Sequence, residues 1–278
     1  MALLEVNNAC FGYTQDNVLE NITFRLETGQ VLCLIGPNGS GKTTLLDCIM
    51  GILPLGKGKI FLQGKDINHL SARNIAREIA YVPQIHEKTF PYTVEEIVLM
   101  GRAAHIGIFS SPGNEDIYIA QEAIKTVGIN HLLYKPYTEI SGGEGQLVMI
   151  ARALAQQSKI MIMDEPTTYL DFQNSLIVLE TIKYLAKKEG LSIILATHYL
   201  NHAFYFENNG LDTYVGMLNQ KNFAAFGSPT EVLTEDNISK IFNIDCKIIE
   251  YDSNALPKQK HLIPLKLSKN KEDSLLYV

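Results

Sequence analysis

No stretch of this 278-residue chain is long and apolar enough to cross a bilayer. Its longest apolar runs, Val31–Ile35 and Ile160–Met163, fall far short of the roughly 20 residues a membrane helix needs. The opening Met1-Ala2-Leu3-Leu4-Glu5 lacks the charged start and apolar core of a signal peptide. Positive charge is also short: 24 Lys and Arg against 30 Asp and Glu give −6, so the overall basic footprint of a nucleic-acid binder is missing and no nucleic-acid partner is expected. Cys10, Cys33, Cys48 and Cys246 show no C-x-x-C spacing, which argues against a zinc site or a disulfide framework and makes reduced cytosolic thiols the expectation. Internal repeats and low-complexity segments are lacking too. What remains is 46% hydrophobic and 19% charged, a soluble globular composition, long enough for one α/β unit with insertions or for two domains.

The most informative stretch present is Val31–Thr44, where an apolar run meets a glycine-rich loop: Gly36-Pro37-Asn38-Gly39-Ser40-Gly41-Lys42-Thr43-Thr44. It fits G-x-x-x-x-G-K-[ST]. Glycines there remove side chains that would block close backbone approach, so successive N–H groups can point at a polyphosphate, aided by the dipole of the following helix. Lys42 would reach the terminal phosphates, and the Thr43 hydroxyl would serve a magnesium ion, which prefers oxygen ligands.

Along the chain, residues 3–28 read as strands separated by a turn, with Ile22, Phe24 and Leu26 alternating against polar neighbours. Val31–Ile35, Lys159–Met163 and Leu191–Ala196 are apolar throughout, as strands buried on both faces of a mainly parallel sheet should be. Shorter strands are predicted at 58–62, 79–82, 213–218, 222–226 and 247–251. Helices are predicted at 42–50, 93–103, 115–127, 141–157, 171–188, from Ser228 and at 235–242, with a capping box at Thr93-Val94-Glu95-Glu96. No strand is read between Ile85 and Tyr137, so a helical insertion of about 85–157 interrupts the sheet order, divided by the loop Ile106–Gly113. The last polar residues, from Lys266, are expected to be loosely held. Strand–helix alternation implies an α/β layered fold whose ligands sit beyond the carboxyl ends of the strands, where Gly36, Gln84, Asp164 and His198 would emerge.

Asp164-Glu165 closes an apolar strand, and two adjacent carboxylates there are costly to bury unless metal or hydrogen bonds compensate. Asp164 would hold magnesium, directly or through water, and Glu165 would orient and deprotonate an attacking water; the plain alternative is an acidic pair at a helix N-terminus. Gln84 could ligate magnesium or touch the lytic water, His198 could contact the γ-phosphate and the base, and Tyr13 is one of 13 tyrosines. Taken singly they read as a turn residue, a core histidine and a packing aromatic. Ser141-Gly142-Gly143-Glu144 has the S-x-x-E form of a helix cap. A cap needs no glycine pair, whereas a phosphate-binding helix start benefits from one. Because the first loop already cradles one phosphate chain, the second makes most sense if it serves the nucleotide of another subunit.

Together these residues resemble the ATP-binding subunit of an ABC transporter, over nearly the whole chain to about residue 250. Gly36–Thr43 is similar to Walker A, Ile160–Glu165 to Walker B with its catalytic glutamate, Ser141–Gln146 to the signature motif, Gln84 to the Q-loop, Tyr169-Leu170-Asp171 to the D-loop, His198 to the switch histidine and Tyr13 to the adenine-stacking aromatic. The resemblance implies an α/β P-loop NTPase fold with a mainly parallel core sheet, an antiparallel β subdomain and the helical insertion. It places the nucleotide-binding domain at 1–250 and a tail at 251–278. It implies ATP and Mg2+ as cofactors, with ATP sandwiched in a head-to-tail homodimer between Walker A of one copy and the signature of the other. Ile97–Arg102 with His105, Gly227–Leu233 and Lys260–Leu265 resemble the importer subfamily for iron-siderophores, haem, cobalamin and oxyanions such as molybdate. That implies integral membrane permease subunits gripped near Thr93–Arg102, indirectly a substrate-binding protein, and a cytoplasmic place on the inner face of the cell membrane. Gly145, Leu147, Thr168-Tyr169 and Tyr199 depart from the family pattern, though none removes a catalytic group. The rival readings are an ABC ATPase driving a soluble assembly or repair machine, and a P-loop kinase or GTPase, against which Ser141 and the pair Asp164-Glu165 weigh.

Overall fold

Alternation along the central strands divides the core in two. The computed structural model describes residues 2–84, 89–107, 109–252 and 258–268. In chain order the elements are β1 (Leu4–Phe11), β2 (Leu19–Leu26), β3 (Val31–Ile35), α1 (Lys42–Ile49), β4 (Lys57–Leu62), β5 (Lys65–Asp66), α2 (Ala72–Glu78) and β6 (Ile79–Val82). The helical layer follows with α3 (Val94–Leu99), α4 (Asn114–Thr126) and α5 (Gly142–Ala155). Then come β7 (Ile160–Asp164), α6 (Phe172–Lys188), β8 (Ser192–Thr197), α7 (Asn201–Asn208), β9 (Thr213–Asn219), β10 (Asn222–Gly227), α8 (Pro229–Val232), α9 (Glu235–Phe242), β11 (Ile244–Tyr251) and β12 (Gln259–Leu267).

The main sheet has the order β10-β9-β3-β8-β7-β6, parallel except for β10. A second sheet, β2-β1-β4-β5, is antiparallel, so both predicted β layers are present. β3, β7 and β8 are buried along their full length. Val31, Cys33 and Ile35 join the core shared with α3–α7, whereas Leu32 and Leu34 join the core shared with the antiparallel sheet and α1. Burial pushes the Cys33 thiol far up, so it is an inert core residue.

The expected helix over 93–103 is shorter than the sequence suggests. Its capping box at Thr93 and Glu96 is present, but α3 stops at Leu99 and gives way to a 3-10 turn, Met100–Ala104. A side chain at Gly101 would meet the Arg152 carbonyl oxygen at 2.1 Å, so the turn lies directly on α5. Next to it the buried Arg102 guanidinium bonds Asp116 of α4 at 2.9 Å and the Ala155 carbonyl and Gln157 side chain beyond α5, each at 2.9 Å. His105 contacts the Gln156 carbonyl at 2.8 Å. The insertion's first residues, 85–88, lie outside the described residues.

In the stretch assigned to the tail, Gln259–Leu267 forms β12, antiparallel to β11, which itself begins at Ile244 rather than Lys247. Pro264 and a largely exposed strand face hid this pattern from periodicity. The hairpin is fastened to α7 by two asparagines that imitate a neighbouring strand. Asn201 accepts from Leu262 N–H at 2.8 Å and donates to its carbonyl at 3.0 Å; Asn208 does the same for Lys260, at 3.0 and 2.9 Å. Of the expected terminal stretch from Lys266, residues 269–278 lie outside the described residues.

Candidate functional site

Register fixes where the site forms. Ile35 pairs with Thr197, Asp164 with Ala196 and Val82 with Met163, so β3, β6, β7 and β8 end together. Gly36, Gln84, Asp164 and His198 leave those ends, as the sequence implies.

The glycine loop has two kinds of requirement. At Gly36 a Cβ would strike the Leu218 carbonyl oxygen at 2.4 Å, and Gly41 holds φ +97°, a conformation that L side chains rarely adopt. Gly39, at φ +76°, faces open space. Lys42 opens α1 and bends back, donating to the carbonyls of Gly36 at 2.8 Å and Pro37 at 3.3 Å. The side chain is buried, and burial lowers its pKa against the pull of Glu165 and Asp164. Thr43 donates to Asp164 Oδ2 at 2.8 Å, bringing two of the three predicted magnesium ligands into contact. Burial raises the Asp164 pKa, offset in part by that hydrogen bond. In each case desolvation outweighs the opposite charges on hand, so both side chains would gain from a further partner of opposite sign. A polyphosphate and a hard divalent ion fit those needs, and the hydroxyl and carboxylate oxygens suit magnesium. Ser40 Oγ is buried with no protein partner among the described residues, a further polar atom facing the loop.

Glu165 sits at φ +50°, uncommon for a residue with a side chain, held by its N–H donating to the Ala196 carbonyl at 2.9 Å. Its Oε2 receives the Thr168 hydroxyl at 2.9 Å and contacts Nδ1 of His198. The structure thus joins Glu165 to His198 and adds Thr168, which sequence reasoning noted only as a departure; its spacing of three residues from Glu165 was the available signal. Tyr13 is exposed, stands edge-on to Phe11 at 5.0 Å and touches Thr44 Oγ1 at 3.4 Å. Its ring is therefore beside the loop. Gln84 is half-buried beyond β6.

Ser141–Glu144 lies apart from this cluster. Ser141 caps α5 reciprocally with Glu144, whose carboxyl the Ser141 N–H and hydroxyl hold below its usual range. α5 packs mainly on α3 and α4. The two glycines differ: Gly142 meets open space, while a Cβ at Gly143 would hit the Asn174 side chain at 2.4 Å. Asp171 caps α6 by accepting from Asn174 N–H at 2.7 Å and binds its amide at 2.9 Å, so the starts of α5 and α6 share Asn174.

Comparison with known proteins agrees with this geometry. The family model described as ABC transporter matches residues 19–168. An uncharacterized ABC transporter ATP-binding protein of Haemophilus influenzae is 39% identical over 252 residues, covering 91% of this chain and 94% of its own. The molybdate import ATP-binding protein MolC of the same organism is 34% identical, covering 94% and 96%. The iron(3+)-hydroxamate import ATP-binding protein FhuC of Bacillus subtilis is 34% identical, covering 90% and 91%. Among solved structures, an inward-facing metal-chelate type ABC transporter superposes with a TM-score of 0.83 at 33% identity, covering 95% of this chain and 98% of that one. The chain belongs to the ATP-binding subunits of ABC transporters and is an ATPase of the P-loop fold.

Proposed function

We propose that this chain powers a membrane importer of metal chelates, cobalamin or an oxyanion, working as a head-to-tail pair on the inner face of the cell membrane. The observation that carries the reading is the division of the predicted site. Lys42, Thr43, Asp164, Glu165 and His198 converge at the strand ends, while Ser141-Gly142-Gly143 opens an exposed helix start elsewhere. A second copy, turned head to tail, would supply that helix start to the nucleotide of the first.

In this mechanism the loop Gly36–Thr44 and Lys42 hold the phosphates, and Tyr13 packs against the base. Thr43, Asp164 and Gln84 would hold magnesium, which neutralises charge building on the phosphoryl oxygens. Thr168 and His198 both engage Oε2 of Glu165, leaving Oε1 to take the proton of a water in line with the γ-phosphate. Asp171 would meet the second copy through its exposed loop.

The permease reading rests on the surface beside α3. Of the apolar residues in this stretch, Ile97 and Val98 serve the core. Leu99 and Met100 line an open cavity of about 570 Å³ with Tyr92, Ala103 and Ile106. An apolar hollow flanked by Glu96 and Arg73 suits a short helix from a permease. Import is favoured by the relatives described as molybdate and iron(3+)-hydroxamate import proteins. Among the described residues no helix is long and apolar enough to cross a membrane, so a separate permease would carry the substrate. Affinity purification of the tagged chain from membranes should recover an integral permease and a substrate-binding protein; recovery of water-soluble partners alone would overturn the transport reading.

A further inference from the structure

Beyond Glu165 and His198, the turn from β8 into α7 is built as a column of rings. His198 and Tyr199 have centroids 4.1 Å apart with planes tilted by 36°, and Tyr199 and His202 follow at 5.1 Å and 42°. Tyr199 thus lies between the histidine that touches Glu165 and a buried histidine one helical turn further on. Thr197 ties off the lower end of the column. Its hydroxyl oxygen accepts the Tyr199 N–H at 3.0 Å and meets His202 Nδ1 at 3.1 Å, while the His202 N–H donates to the Tyr199 carbonyl at 3.1 Å. The hydroxyl proton needs an acceptor, and Nδ1 is the one within reach, which assigns His202 the neutral tautomer protonated at Nε2. Burial, with the nearby His198, pushes the His202 pKa down to about 4, so the ring stays neutral at ordinary pH. The base of the column is fixed as well, since the Asn201 and Asn208 bonds to β12 hold α7 at both ends.

We propose that Tyr199, wedged between His198 and the Thr197-anchored His202, is a positioning residue that sets the His198 ring against Glu165. The proposal rests on the reading of Glu165 and His198 as hydrolytic partners. It explains the departure at this position: an acidic residue there could hydrogen-bond but could not stack. Tyr199 is 44% exposed, and its hydroxyl has no hydrogen-bond partner among the described residues, so the ring face is what it contributes.

The test compares Tyr199→Ala, Tyr199→Phe and His198→Ala in the full chain. Tyr199→Ala should lower kcat for ATP about tenfold with KM within about twofold, and Tyr199→Phe, which keeps the ring, should restore the rate. Nitrogen NMR of the labelled imidazoles, recorded without nucleotide, gives a second readout. In Tyr199→Ala the His198 Nδ1 signal should move from a hydrogen-bonded toward a free-ring value while His202 stays neutral. A wild-type kcat in Tyr199→Ala beside a slow His198→Ala, or a Tyr199→Phe as slow as Tyr199→Ala, overturns the proposal. If His198→Ala hydrolyses ATP at the wild-type rate, the catalytic reading falls, and the His198 signal alone then decides whether Tyr199 positions the ring; an unmoved signal overturns that too.

Discussion

At Lys42, burial weakens the ammonium's hold on its proton while two carboxylates and two loop carbonyls work the other way. A neutral side chain at this position would leave those carbonyls to water and remove the charge facing a polyphosphate. Lys42→Ala should therefore lower ATP affinity at least about tenfold, since a charged hydrogen bond contributes about 1.5–3 kcal/mol. Isothermal calorimetry checks this, and an unchanged affinity would exclude the phosphate-loop assignment. Residues such as Lys42 and Thr43 were legible in the sequence because loop chemistry fixes their spacing within one short stretch. Thr168 offered only its spacing from Glu165, and His202 offered nothing, because it acts on its neighbour through a turn whose path only the fold defines. Asn174 is similar: it explains Gly143 by a close approach between two helix starts far apart in the chain, a relation that no local pattern carries.

At the scale of elements, the doubly buried strands β3, β7 and β8 were readable because continuous apolar runs of that length have few alternatives. The hairpin β11–β12 was only half visible. Its second strand gains order from the amides of Asn201 and Asn208 rather than from an alternating apolar face, so hydrophobic pattern alone understated it. Replacing both asparagines with Ala removes the four hydrogen bonds to the β12 backbone, and the Asn201 contact with His261, at a partly solvated surface. A loss of about 2 kcal/mol is expected from net values near 0.5–1 kcal/mol each when water can substitute. Urea unfolding of the double variant measures it, and an unchanged midpoint would show that the hairpin is held mainly by its apolar contacts, Cys246 and Leu262 among them.

At the scale of the whole molecule, the described residues hold two helix starts that we read as phosphate-binding and one cluster that we read as hydrolytic. The sequence disclosed that mismatch, and the structure keeps the two helix starts in different layers. Glu165→Gln keeps the shape of the side chain but removes its capacity as a base. It should accumulate an ATP-bound pair of chains that light scattering detects, whereas continued hydrolysis with only single chains present would refute the shared-site reading.

The fastening of the turn Met100–Ala104 has a mechanical consequence. Arg102 and His105 clamp the carboxyl end of α5, Gly101 brings the turn against its last residues, and Met100 sits in the hollow beside them. With 14 residues, α5 is a rod about 21 Å long at 1.5 Å per residue, and Ser141 rides on its far end. The hollow beside Met100 and the helix start at Ser141 are therefore the two ends of one stiff element, joined without a break in the helix.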